Sequence, residues 1–304
     1  REMGPMLRSK LSALLPFAVP VAIAGLVACA SEPPPAPLPP PTQATPLASS
    51  LPATPAPSDA GSNAQVALPA DAAPPPSPAE AVHAALAASD RDEKDRALDN
   101  GRHAEEMLNF FGIGPGMKVG ELVSGTGYTA ELLARTVGEN GVVWGENPPS
   151  ILDMFAATPW AARLSKPVMK NVRRADRDLE APFPADATNL DAVLMVLFYH
   201  DTVWMKADRA KMNKAVFDAL KPGGIYGIVD HAARKGAGVS QAKTLHRIEE
   251  KTVIDEVTKA GFKLAAEGDF MKNPKDTHEW NASPMSAGEK RGTSDRFVLK
   301  FVKP

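Results

Sequence analysis

Residues 119–134 read VGELVSGTGYTAELLA. Val119 to Val123 is a short apolar strand. Gly125 and Gly127 allow a tight turn and a close backbone approach. From Tyr128 to Val137 the apolar spacing becomes helical, with Leu133 and Val137 one turn apart. A strand, a glycine turn and a helix N-terminus present free N–H groups and a positive dipole end to an anionic or polar ligand. About twenty residues on, Gly141 to Glu146 (GVVWGE) reads as a second strand ending in a carboxylate, placed to accept hydrogen bonds from both hydroxyls of a ribose. Residues 125–130, GTGYTA, also satisfy the dinucleotide pattern with alanine in its last place, so the loop alone leaves two nucleotide classes open.

The rest of the chain bounds the reading. It has 304 residues, a formal net charge of −2 and 44% hydrophobic residues. So nearly neutral a chain offers no electrostatic case for nucleic acid as a partner. Sixteen of its 30 prolines lie between Ser31 and Pro78, in a stretch with no lysine, arginine or aromatic residue. Residues 30–79 therefore read as a disordered linker with polyproline II character. The folded part is expected at residues 80–304. Its N-terminal cap helices (about 80–111) come from DRDEKDRALDNGRHAEEMLNFFGIGPGM, whose charges read mostly as a solvated helix face.

Residues 1–29 have the build of a signal peptide. Arg8 and Lys10 open it, Leu11 to Ala28 is apolar apart from Ser12, and small residues precede Cys29. Leu26-Val27-Ala28-Cys29 resembles the bacterial lipobox. That resemblance implies lipidation at Cys29, export, and a lipid anchor on the periplasmic side of the cell envelope, with Ala30 favouring the outer membrane. Cys29 is the only cysteine, so no intrachain disulfide is expected.

Downstream, Leu190 to Phe198 (LDAVLMVLF) is a continuous apolar run, as in a central parallel strand. The helix ADRAKMNKAVFDALKPGG follows and stops at Lys221-Pro222-Gly223-Gly224. Ile225 to Val229 is the next strand. KTLHRIEEKTVIDEVTKAGF reads as one long helix ending at Gly261, before strands at 262–267 and 297–302.

LKPGG before strand five, AGF before strand six and the closing FVLKFVKP resemble class I S-adenosylmethionine (SAM)-dependent methyltransferases. YHDTVW (199–204), VDHAARKGAGVS (229–240) and RGTSDRFVLKFVKP (291–304) are similar to an exported predicted-methyltransferase group within that class. The resemblance implies a Rossmann-like α/β fold, with a mostly parallel seven-stranded sheet, an antiparallel last strand between strands five and six, and helices on both faces. It implies SAM as cofactor and a small molecule or envelope component as substrate. Glu121 would orient the methionine end of SAM. Ser124, Gly125, Thr126 and Gly127 would wrap the amino acid and ribose, Glu146 would bind the ribose, and Asp176 would meet the adenine amino group. The family usually has glycine where this chain has Val123.

Substrate-side groups in that fold follow strand four, here Tyr199, His200 and Asp201. His200 could serve as a base near neutral pH, oriented by Asp201; otherwise Tyr199 and His200 cap the strand. No metal ligand is assigned in this reading. Two alternatives stay open. One is a methyltransferase fold that binds a nucleoside-like ligand without catalysis. The other is metal-assisted chemistry at His200, Asp201, Asp230 and His231, with hard oxygen ligands suited to Mg²⁺. His246, Arg247, Glu249 and Glu250 are expected on one helix, as a solvated face or a substrate lid. RGTSDR (291–296) reads as a turn or as pocket lining.

Overall fold

The structure is a computed structural model that describes residues 75–304. The signal segment, Cys29 and the proline-rich stretch through residue 74 lie outside the described residues.

Ser77 opens the domain as the cap of α1 (Pro78–Ala87). Its hydroxyl accepts from Glu80 N–H while the Glu80 carboxylate accepts from Ser77 N–H. α2 (Glu93–Arg102) and α3 (Ala104–Phe111) follow, broken at His103 in the left-handed region. β1 (Lys118–Leu122), α4 (Tyr128–Val137) and β2 (Val142–Glu146) form the glycine-loop unit. α5 (Pro149–Ile151) runs through a π-helical turn at Leu152–Ala156 into α6 (Ala157–Leu164). Then come β3 (Val172–Ala175), β4 (Leu190–Val196), α7 (Asp201–Trp204), α8 (Arg209–Ala219) and β5 (Leu220–His231). α9 (Ala242–Leu245), α10 (Glu250–Lys259), β6 (Lys263–Gly268) and β7 (Arg296–Val302) complete the chain.

The seven strands form one sheet in the order β3-β2-β1-β4-β5-β7-β6. β1 to β5 pair in parallel, and β7 runs antiparallel to both β5 and β6. This is the class I methyltransferase arrangement that the closing FVLKFVKP strand anticipates. Neighbouring residues of β5 show that helices cover both faces. Tyr226 reaches Asn213 of α8, whereas a side chain at Gly227 would meet Phe111 of α3. β1 and β4 are adjacent at the centre, where the chain changes direction across the sheet. A ligand crevice is expected beyond their C-terminal ends.

One expectation holds in part and another needs correction. Asp90, Asp92, Glu93, Lys94 and Glu106 of the cap-helix stretch are exposed, but Arg91 and Asp95 are buried and Asp99 is partly so. Arg91 binds Asp99, Tyr128 donates to Asp99, and Arg163 of α6 reaches Asp95 at 2.5 Å and Glu131 at 2.6 Å. This network fastens α2 to the first turn of α4, beside the glycine loop. The long helix expected over 243–262 is broken. His246 has φ 51°, and α10 restarts only at Glu250. The break lets Arg247 enter the protein, where its guanidinium meets Asp276 at 2.9 Å and the carbonyl of Ala232 at 3.0 Å. A fully buried cation needs such partners, and their location overrides local helix propensity.

Candidate active site at the C-terminal edge of the sheet

The glycine loop closes over itself. Ser124 N–H donates to the carbonyl of Glu146 at 2.7 Å, and Gly127 N–H to the carbonyl of Ser124 at 2.8 Å. The Asn147 side chain clasps Gly125 from both sides, accepting its N–H at 2.7 Å and donating to its carbonyl at 3.1 Å. Gly127 takes φ 86°, and a Cβ there would lie 2.5 Å from Trp160. The same indole lies over Gly145, where a Cβ would meet it at 2.8 Å. These two glycines make room for one buried tryptophan of α6. Neither Asn147 nor Trp160 is foreseen from the sequence. The signal for Trp160 was a pair of glycines, one on the loop and one on β2, with a lone tryptophan on the next helix.

Val123 adopts φ 54° and is 8% exposed. Its N–H donates to Glu146 Oε2 at 3.0 Å. Glu146 is 0% exposed, so its carboxyl faces the loop rather than an open ribose site. Burial, with the nearby Glu121 carboxyl adding to it, pushes Glu146 well above the usual carboxylate range despite the Val123 hydrogen bond. Burial likewise pushes Glu121 up to about 7, with the nearby hydroxyls of Ser124 and Thr129, and then Arg102 and Arg163, pulling the other way.

Three of the expected cofactor residues carry buried polar atoms without a protein partner: Glu121 Oε2, Ser124 Oγ and Glu146 Oε1. Buried polar groups are rarely left unpaired. These three belong to one loop and the strand ends beside it, and they suit a ligand rich in hydroxyl and ammonium groups. Beside Gly125, Phe155 and Met154 are 52% and 58% exposed, apolar surface at the mouth of the loop. The residues thus fit an adenosyl donor in kind, while Val123 narrows its seat. Asp176 stands apart. It is exposed at the end of β3, with both carboxylate oxygens taken by Arg174 Nε at 2.7 and 2.8 Å.

Beyond β4 the expected trio divides. Tyr199 is fully buried, and its hydroxyl donates to Glu256 at 2.8 Å and accepts from Asn213 at 2.8 Å. It ties β4 to α8 and α10, so its hydroxyl is engaged in holding the fold. His200 and Asp201 do meet, with His200 Nε2 lying 3.1 Å from Asp201 Oδ1. Behind the ring, Asp230 accepts from His200 Nδ1 at 2.7 Å, from His200 N–H at 2.7 Å and from His231 N–H at 2.7 Å. Burial opposes a charge on His200, but Asp230 and Asp201 outweigh it and hold the imidazole at about 10. The two carboxylates thus favour the protonated imidazole over the free base. His246 joins this pair from the break between α9 and α10, 3.2 Å from both.

His231 turns the other way, to Ser294 Oγ at 2.7 Å. Burial, reinforced by the positive charges of His200, Arg296 and Arg247, keeps it neutral. It lines a cavity of about 160 Å³ with Leu98, Arg102, Leu197, Arg291 and Arg296. Part of RGTSDR is thus pocket lining. Arg296 spends its donors on the carbonyls of Gly101, Gly292 and Ser294. Burial and the neighbouring Arg102 lower it to about 10. Among the described residues, no ion pair joins Arg102, Arg291 or Arg296 to a carboxylate, so the cavity wall is rich in positive charge, with Glu121 and Asp95 acting on Arg102 from farther away.

No family model matches the chain, and no curated protein matches it. Solved structures resemble it in architecture. A SAM-dependent methyltransferase from Aquifex aeolicus is 18% identical with a TM-score of 0.49, over 69% of this chain and 97% of that one. An arsenic (III) S-adenosylmethionine methyltransferase from Chlamydomonas reinhardtii is 18% identical with a TM-score of 0.47, over 76% of this chain and 75% of that one. At this identity the likeness is one of strands and helices, which the sheet order already establishes.

Proposed function

We propose that the domain is a SAM-dependent methyltransferase acting on a small anionic molecule. The observation that carries this reading is the set of unpartnered atoms at Glu121, Ser124 and Glu146, at the expected cofactor crevice of this sheet. Glu121 would take the ammonium group of the donor, Ser124 and Glu146 its hydroxyls, and Phe155 its base. The bound donor supplies an electrophilic methyl group. The chain's own task is to align the acceptor, which as an ionised carboxylate or phosphate brings no proton to remove. Arg102, with Arg291 and Arg296 beside it, would draw such an acceptor into the cavity, and His231, hydrogen-bonded to Ser294, would shape its wall.

The enclosed Glu146 favours a second reading, a module that binds the same ligand without turnover. Methyl-labelled SAM incubated with the full chain and small carboxylates or phosphates from envelope extract separates the two. Labelled product that falls at least tenfold in Arg102→Met supports the enzyme. Binding of the donor with no product in any extract supports the module.

The setting is also a proposal. The basic start, apolar run and lipobox-like residues 26–29 support an exported lipoprotein whose substrate belongs to the cell envelope. Among the described residues, no helix is long and apolar enough to cross a membrane.

A further inference from the structure

Three candidate ligand atoms converge where β4, α7 and the broken helix meet. His200 Nε2, Asp201 Oδ1 and His246 Nδ1 lie 3.1, 3.2 and 3.2 Å from one another. Zinc binds imidazole nitrogen and carboxylate oxygen at about 2.0–2.2 Å, so tetrahedral ligand edges are about 3.3 Å. An ion about 1 Å above the plane of this triangle would reach all three atoms at bonding distance. Asp201 Oδ1 also accepts from Trp204 Nε1 at 2.6 Å, which fixes the carboxylate in place. A single proton on His200 Nε2 serves one or two edges of the triangle, whereas one metal ion would engage all three atoms at once.

The surroundings are built for the same purpose. Asp230 lies behind His200 and can only accept, so Nδ1 carries a proton and Nε2 is free to present its lone pair. A carboxylate behind a histidine is the usual support of a metal-bound imidazole. His246 reaches the cluster from a left-handed backbone position that non-glycine residues seldom take, and such strain persists where surrounding structure enforces it. His246 is 25% exposed and Asp201 13%, so one side of the triangle is open to solvent.

We infer that His200, Asp201 and His246 form a binding site for one divalent transition-metal ion, of the zinc class, with at least one open coordination position. Two imidazoles and one carboxylate favour such an ion over Mg²⁺, which prefers all-oxygen ligation. The ligand set differs from the one anticipated from sequence. Asp230 supports from behind, His231 turns to Ser294, and His246 completes the triad. Three protein ligands with an open position are characteristic of catalytic rather than structural sites. The open position would take water or an anionic oxygen.

The test is titration of the metal-stripped full chain with Zn²⁺, and with Co²⁺ as a spectroscopic probe, with no adenosyl ligand present. It therefore stands or falls separately from the methyltransferase reading. The expected result is one equivalent of Zn²⁺ bound below about 1 µM, and visible Co²⁺ bands from mixed nitrogen and oxygen ligation. His246→Ala, at a half-exposed loop position, should weaken binding at least a hundredfold and leave the far-UV spectrum and melting temperature of the stripped protein unchanged. Asp230→Asn should weaken it about 10- to 100-fold. His278→Ala, which removes the separate His278–Asp295 pair, should have no effect. Absence of saturable binding, or equal affinity in His246→Ala and the parent, would overturn the site. Should His246→Ala prove unstable, Asp201→Asn reads the same ligand set.

Discussion

Glu146 Oε2 accepts the backbone N–H of Val123 at 3.0 Å, so the acid that ends β2 holds the loop that ends β1. Both residues are buried and Val123 is left-handed, with φ 54°. The strand-end carboxylate and Val123 thus form one latch. Holding a non-glycine residue in that conformation costs about 1–2 kcal/mol, and opening the latch for a ligand adds to the cost of binding.

Val123→Gly tests the latch. Glycine removes the strain but gives up burial of a three-carbon isopropyl group, about 1.5–3 kcal/mol. The terms offset, so the melting temperature should move by only a few degrees. Affinity for S-adenosylhomocysteine, measured by calorimetry, should rise roughly three- to tenfold, since about 1.4 kcal/mol is a tenfold change. Unchanged or weaker affinity at unchanged stability would mean that Val123 does not narrow the seat.

Glu121 sets a pH dependence. Its carboxyl is raised from an ordinary 4.5 to about 7 by burial, so the folded state binds the proton more tightly than the unfolded chain. Stability from this group is fully present below about pH 4.5 and is lost as pH rises to about 7. Over that window the loss is on the order of 3 kcal/mol. Glu121→Gln should flatten this part of the profile, with denaturant melts at pH 5 and pH 8 as the readout. A slope identical to the parent's would place the titration elsewhere.

Tyr199 separates structure from chemistry. Its hydroxyl joins Asn213 and Glu256, and Glu256 keeps Arg209 at 2.8 Å when the hydroxyl is gone. Tyr199→Phe should cost about 1–3 kcal/mol of stability through the unpaired Asn213 amide, and leave turnover within twofold of the parent below the melting transition. A hundredfold loss of turnover with stability intact would return Tyr199 to the active site.

The anchor has its own readout. Labelled fatty acid should enter the full chain in a bacterial host and be absent from Cys29→Ser, which should move to the soluble fraction. Label retained by the variant would remove Cys29 from this role.

The sheet was legible because its signals are local. The glycine loop follows an apolar strand, KPGG and AGF mark entries to β5 and β6, and FVLKFV closes the sheet. The Glu121–Ser124–Glu146 group was legible for the same reason, since strand ends bring fixed sequence spacings together. His246 and Arg247 were not. Their neighbours 243–262 read as an uninterrupted helix, and only the buried Asp276 and the His200–Asp201 pair explain why the chain breaks there. Tyr199 and His200 both follow strand four, the position that suggested substrate-side roles, but successive residues leaving a strand turn to different sides, and the Tyr199 hydroxyl meets Glu256 and Asn213. The burial of Asp95 in α2 was not legible because its partner, Arg163, lies far along the chain.

The central claim is that the crevice at β1 and β2 receives an adenosyl donor. Calorimetric titration of the full chain with S-adenosylhomocysteine tests it most directly. One-to-one binding in the micromolar range is predicted, weakened about tenfold or more by Glu121→Gln and by Phe155→Asp. No detectable binding to the folded parent, or binding indifferent to both substitutions, would contradict it.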